Sequence, residues 1–143
     1  MRRLRLAIPI ALGLFAAPAL AADGDVDEAT KAAIQHIITG QLDALEHEDG
    51  DKAESFAADG IRQKFPNGPA FLAMVHQHYA ALIHPKRTTF GAVDASPHGP
   101  LQTVTVVAAD GTIWTAIYSF EQTGGAWRIT GCSLRKIEGE QEI

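Results

Sequence analysis

The sequence predicts an α+β domain, with N-terminal helices packed on a curved antiparallel sheet. Three observations predict it. Apolar residues recur at spacings of three and four as far as Ile83, which is the helical period. From Thr88 onward the chain is β-branched and aromatic, with the period of strands. The late segments are separated by Asp110-Gly111 and Gly124-Gly125, short turn signals that join antiparallel neighbours. Helices first and sheet afterwards is the segregated arrangement. A bent sheet with helices across its concave side makes a cone with a hollow.

The first segment is a leader. Arg2, Arg3 and Arg5 precede the apolar run Leu6–Ala17, and Pro18-Ala19-Leu20-Ala21 ends in an A-x-A pattern. That order predicts a secretory signal peptide over residues 1–21, cut after Ala21, and a periplasmic or secreted protein. The run is too short to cross a hydrocarbon core, which takes about 20 apolar residues, so no membrane span is expected after cleavage.

The remaining chain is expected to be one cone domain over 22–137 with an acidic tail over 138–143. The full chain has 143 residues, of which 46% are hydrophobic and 20% charged, which excludes a disordered or polytopic membrane protein. Its formal charge of −5 argues against a nucleic-acid partner, whose phosphates reward positive proteins. The leader takes three of the 12 basic residues and none of the 17 acidic ones, leaving a more acidic mature chain. Residues 22–59 hold eleven acids and two lysines, whereas 60–137 hold seven basic and three acidic residues. The acidic block reads as the solvated face of the first helices.

Ile34, Ile37, Ile38, Leu42 and Leu45 line one stripe of a first helix. Asp25, Asp27 and Glu28 stand where negative charge suits its dipole. The helix is expected to stop at Gly50 in a left-handed cap. Asp51, with Glu54 three residues on, then caps a second helix, which Asp59-Gly60 ends. After the turn Phe65-Pro66-Asn67-Gly68, Pro69 opens a third helix carrying Phe71, Leu72, Val75, Tyr79, Leu82 and Ile83, which Pro85 closes. His84, before that proline, is expected to be extended. Strands are expected over Thr88–Val93, Leu101–Val107, Ile113–Gln122 and Ala126–Leu134.

The run from Gln41-Leu42 through Phe65-Pro66, Phe71-Leu72-Ala73-Met74-Val75, Tyr79, Pro85, Phe90-Gly91, Asp110-Gly111, Trp114-Thr115-Ala116-Ile117-Tyr118 and Trp127-Arg128-Ile129-Thr130-Gly131-Cys132 resembles a family of exported bacterial proteins catalogued as a domain of unknown function. The likeness covers about Ala32 to Leu134. It implies the nuclear transport factor 2-like (cystatin-like) cone. That superfamily includes isomerase-like enzymes, transport factors and oligomerisation modules, so the resemblance carries no chemistry over.

Gln41 falls in the middle of the apolar stripe. It is read as an amide tied to neighbouring backbone, or else as a polar group pointing into the cone. His78 lies at the edge of the apolar face of the third helix and Tyr79 within it; His76 points away. His78 and His84 lack a third ligand at metal-binding spacing, so no metal and no cofactor are expected. Asp23-x-Asp25-x-Asp27 fails as a calcium loop, because Glu28 and Ile34 stand where glycine and glutamate are required. Trp114, Ala116, Tyr118 and Phe120 share one strand face; Trp127, Ile129 and Gly131 share one face of the last strand, opposite Arg128, Thr130 and Cys132. A lone cysteine allows no intrachain disulfide, and Cys132 in a strand reads as a buried, inert thiol.

No strand acid sits in an apolar run and no G-x-S-x-G is present, so an acid–base pair or nucleophile elbow is not evident. The leading reading is a non-catalytic exported module that binds a small apolar ligand or a protein partner, with Gln41, His78, Tyr79, Trp114 and Tyr118 lining the site. The alternative is a cone-fold enzyme using general acid–base catalysis by His78 or Tyr79 on a small apolar substrate. A homodimer through an exposed sheet face is the third reading.

Overall fold

The computed structural model describes residues 25–137. The expected leader over 1–21 and the expected acidic tail over 138–143 lie outside the described residues. Among those described, four α-helices precede four strands: α1 (Glu28–Glu46), α2 (Gly50–Ser55), α3 (Asp59–Arg62), α4 (Gly68–His78), β1 (Arg87–Asp94), β2 (Leu101–Val107), β3 (Ile113–Thr123) and β4 (Ala126–Lys136). The strands form one antiparallel sheet in sequence order. Among the described residues no helix is long and apolar enough to cross a membrane.

Helix α1 is capped by Asp27, whose carboxylate accepts from the Thr30 N–H at 2.7 Å and is held below its ordinary pKa by that bond. Its buried stripe of Ile34, Ile38 and Leu45 joins Val104 and Val106 of β2, Ala116 and Phe120 of β3 and Ile129 of β4 in one apolar core. Burying each large apolar side chain stabilises the fold by about 1.5–3 kcal/mol before entropy is counted. Gln35 binds this layer to the sheet by donating to Gln102 at 3.1 Å. Gln102 is fully buried at a β1 irregularity between Phe90 and Val93, where its amide donates to the carbonyls of Gly91 and Ala92.

Several helix boundaries differ from expectation. Helix α1 ends at Glu46, and Gly50 is no cap: Glu48 takes the left-handed turn (φ 52°) and Gly50 opens α2. Asp49, rather than Asp51, caps α2 by accepting from the Lys52 N–H. A glycine is needed at 50 because α2 and α4 start in contact there; a Cβ would run into the Gly68 carbonyl oxygen. Asp59-Gly60 does not end a helix but starts the single turn α3. The third predicted helix breaks at Tyr79 (φ −134°), and a 3-10 turn over Ala80–Leu82 follows. His84 is left-handed (φ 53°) rather than extended.

The strands match expectation to within two residues at each end. The Gly124-Gly125 turn has both residues at positive φ (58° and 80°). At Asp110-Gly111 only Gly111 does (φ 85°), because the connection spans Ala108–Thr112 and Asp110 instead accepts from the Thr112 N–H and hydroxyl. The most consequential departure is in β4. Ser119 pairs with Gly131 but Phe120 with Ile129, so Thr130 is an extra residue. The bulge resets the alternation, and Cys132 shares the inner face with Trp127 and Ile129 instead of opposing them. The free edge of β4 is closed by the chain after α2: Ala58 N–H donates to Ile129 O and Ile129 N–H to Phe56 O.

Candidate functional site

Where α3 and α4 stand over the bulged stretch of β4, the interior is not filled. A hollow of ≈ 290 Å³ is walled by Gln41 and Leu45 of α1, Ile61 of α3, Phe65, Phe71, Met74 and Val75 around α4, Tyr79, Leu82, and Ile129–Cys132. Phe65 and Phe71 meet edge to face, with centroids 5.6 Å apart, and stiffen one wall. The size is at the small end of ligand sites, which run from about 300 to about 1,000 Å³.

The polar groups of the hollow are few. Gln41 is 6% exposed and its side chain donates to Ala53 O at 3.2 Å, tying α1 to α2. Its Oε1 and second N–H have no protein partner among the described residues. The Tyr79 hydroxyl donates to Cys132 O at 3.1 Å and latches the end of α4 onto β4. Burial, reinforced by the neighbouring Cys132, raises its pKa. Burial likewise pushes the Cys132 thiol up to about 12, only partly offset by the Tyr118 hydroxyl beside it. Thr130 Oγ1 is occupied by donation to Ser119 Oγ at 2.8 Å. Lys64, exposed between α3 and α4, brings the one charge of the lining among the described residues.

Of the five residues singled out in the sequence, the structure brings Gln41 and Tyr79 to this hollow. The other three lie elsewhere. His78, the last residue of α4, is exposed. Its neighbour His76 contacts Glu48, with 2.7 Å between Nε2 and Oε1. Trp114 is half-buried at the far end of β3, opposite Lys136, and its indole donates to Thr112 Oγ1 at 2.9 Å. Tyr118 is 1% exposed within the core, stacked near Phe120. Its hydroxyl meets no partner of good hydrogen-bond geometry, and burial raises its pKa well above the ordinary value.

Lys64, Thr130 and the inward placement of Cys132 do not follow from sequence reasoning. Its position between the apolar residues Ile61 and Phe65 is the one signal that points to Lys64. Thr130 and Cys132 depend on the bulge, for which the sequence carries no local mark. Among the described residues no three His, Cys, Asp or Glu side chains gather as a metal site.

Residues 27–142 match the model of a domain of unknown function, DUF4864. Three solved structures share the fold. An NTF-2-like protein of unknown function from Silicibacter pomeroyi aligns with a TM-score of 0.55 and 17% identity, covering 79% of this chain and all of that one. An NTF2-like protein of unknown function from Shewanella baltica aligns at 0.54 and 8%, covering 80% of this chain and all of that one. Aln2 from a Streptomyces species aligns at 0.52 and 16%, covering 78% of this chain and 93% of that one. These likenesses show the NTF2-like α+β fold. No curated protein matches the sequence.

Proposed function

We propose, from the premise that the chain belongs to the family of domains of unknown function DUF4864, that it is an exported, non-catalytic module binding a small, largely apolar molecule in the hollow. The observation that carries this reading is the hollow itself: aromatic and aliphatic walls with a few polar groups, the usual composition of a ligand site. Gln41 and Tyr79 are the polar contacts, Gln41 through its free Oε1 and Tyr79 through the lone pairs of a hydroxyl that already donates.

The non-catalytic half rests on acid–base arithmetic. A general acid or base works best with a pKa near the operating pH. Of the ionisable groups of the lining, Tyr79 and Cys132 are both raised by burial, away from neutrality, and Lys64 stands exposed at its edge. His78, the other candidate base, is exposed on the last turn of α4 and absent from the lining. Export is proposed from the leader alone, and cell fractionation with N-terminal sequencing tests it: the mature chain should begin at Ala22 in the periplasm or medium.

Calorimetric titration with decanol, a neutral apolar probe, tests the binding reading. Saturable binding that is lost when Met74→Trp fills the hollow is the expected result, with circular dichroism confirming that the variant is folded. Absence of binding to the unmodified protein, or binding that survives in folded Met74→Trp, overturns it.

A further inference from the structure

The lining of the hollow has an unusual charge balance for this protein. The chain carries 17 acidic against 12 basic residues, and the segment containing α1 and α2 is strongly acidic. Yet among the described residues no aspartate or glutamate lines the hollow, and the one charge they bring to it is the ammonium of Lys64. Among the described residues Lys64 makes no ion pair; the pairs formed are Lys31–Glu28, His47–Asp43 and His76–Glu48. A lysine stem can lie along apolar surface while its head stays at the water boundary. Lys64 lies between Ile61 and Phe65, both walls of the hollow, and is itself exposed, so its head belongs at the rim.

We infer that the hollow selects a small apolar carboxylate, its hydrocarbon part among Phe65, Phe71, Met74 and Ile129 and its head against Lys64. This rests on the binding reading above and adds the ligand's chemical class. A neutral ligand would leave the ammonium unused, and a cationic one would be repelled by it. A charge at a solvated rim contributes modestly, about fivefold in affinity. The buried tail supplies the rest, at about fourfold per methylene. Because the head sits at the rim, its contribution weakens with added salt while that of the tail does not.

The test is calorimetric titration of the full chain with decanoate, decanol and decylamine, repeated on Lys64→Met, which keeps an unbranched stem and removes the charge. Decanoate should bind the unmodified protein about fivefold more tightly than decanol, and decylamine more weakly than either. In Lys64→Met the decanoate preference should fall to about onefold. On Lys64→Glu the order of decanoate and decylamine should invert. Equal binding of decanoate and decanol to the unmodified protein, or a preference that survives Lys64→Met, overturns the carboxylate assignment and leaves apolar binding standing. Failure of all three probes to bind overturns both.

Discussion

The inner face of the sheet is built in two ways. Over β2 and β3 it is filled: Val104, Val106, Ala116, Tyr118 and Phe120 are 0–1% exposed, in one core with Ile34 and Ile38 of α1. Over the bulged stretch of β4 it is left open: Cys132 is only partly buried, and α3 and α4 stand across Ile129–Cys132 to leave ≈ 290 Å³. One helix, α1, serves both regions, its stripe passing from Ile34 and Ile38 over the filled half to Gln41 and Leu45 beside the open one. The difference shows how a single amphipathic surface can build both a core and a hollow. The central strands keep strict alternation, so side chains interdigitate; the edge strand breaks alternation by one residue, and the helices over it are a single turn and a helix that stops at Tyr79. Interiors normally pack as densely as organic crystals, so the open half stands out as a departure from that norm.

The comparison breaks most easily from the filled side. Ile38→Ala removes a fully buried side chain from a packed layer, and the loss of transfer energy plus cavity should cost about 2–5 kcal/mol in urea unfolding. A cost below about 1 kcal/mol would mean that the layer is no tighter than the open half.

The next largest effect is alkaline. The Cys132 thiol is raised from its ordinary 9.0 to about 12 by burial. The folded chain therefore keeps a proton that the unfolded chain gives up above pH 9.0, so the thiol's contribution is fully present below that pH and is lost as pH rises toward 12. Tyr79 and Tyr118 are raised too and act in the same direction, but from their ordinary 10.0 upward. Cys132→Ala should therefore flatten the fall in the urea midpoint where it begins, near pH 9, and leave the later fall in place. An unchanged onset would place the thiol in contact with water. The same burial predicts slow alkylation of Cys132 by iodoacetamide near neutral pH until the chain is unfolded.

How much of this contrast is legible in the sequence depends on how local each cause is. The α1 stripe, with Gln41 set into it, is readable because helical period alone decides which side chains share a face. The strand positions and the Gly124-Gly125 turn are readable for the same reason. The role of Gly50 is not, because it is set by Gly68, eighteen residues away, whose backbone passes too close for a Cβ. The chemistry of Trp114 suits a binding site, but strand register carries it to the Lys136 end of the sheet. Alternation alone puts Cys132 on the wrong face, because the extra residue that turns it inward is fixed by pairing across Ser119 and Phe120, not by anything within β4. The open half is thus the less legible half: its shape follows from long-range pairing, whereas the filled half follows from period.

Tyr118 lies at the boundary between the two regions. It is packed like the filled half, yet its cross-strand neighbour is Cys132, the floor of the open one. Its hydroxyl is buried without a well-placed partner, and such a group costs about 1–3 kcal/mol. Tyr118→Phe keeps the ring and removes that cost, so it should raise stability by about 1 kcal/mol. A loss of similar size would show that the hydroxyl makes a bond to the thiol that outweighs its burial.

The smallest effect belongs to the open side. Met74 is half-buried and faces space that is already empty. Truncation to alanine removes fewer contacts than at Ile38 and enlarges a hollow instead of creating one. The penalty of a large-to-small change scales with the new void and with how little the surroundings can relax, and methionine is the most adaptable of apolar side chains. Met74→Ala should therefore cost less than about 1 kcal/mol in the same urea assay, well below Ile38→Ala. The ratio of the two costs measures the contrast directly. Equal losses would mean that the hollow collapses onto Met74 in solution, and the open half would then be a second core.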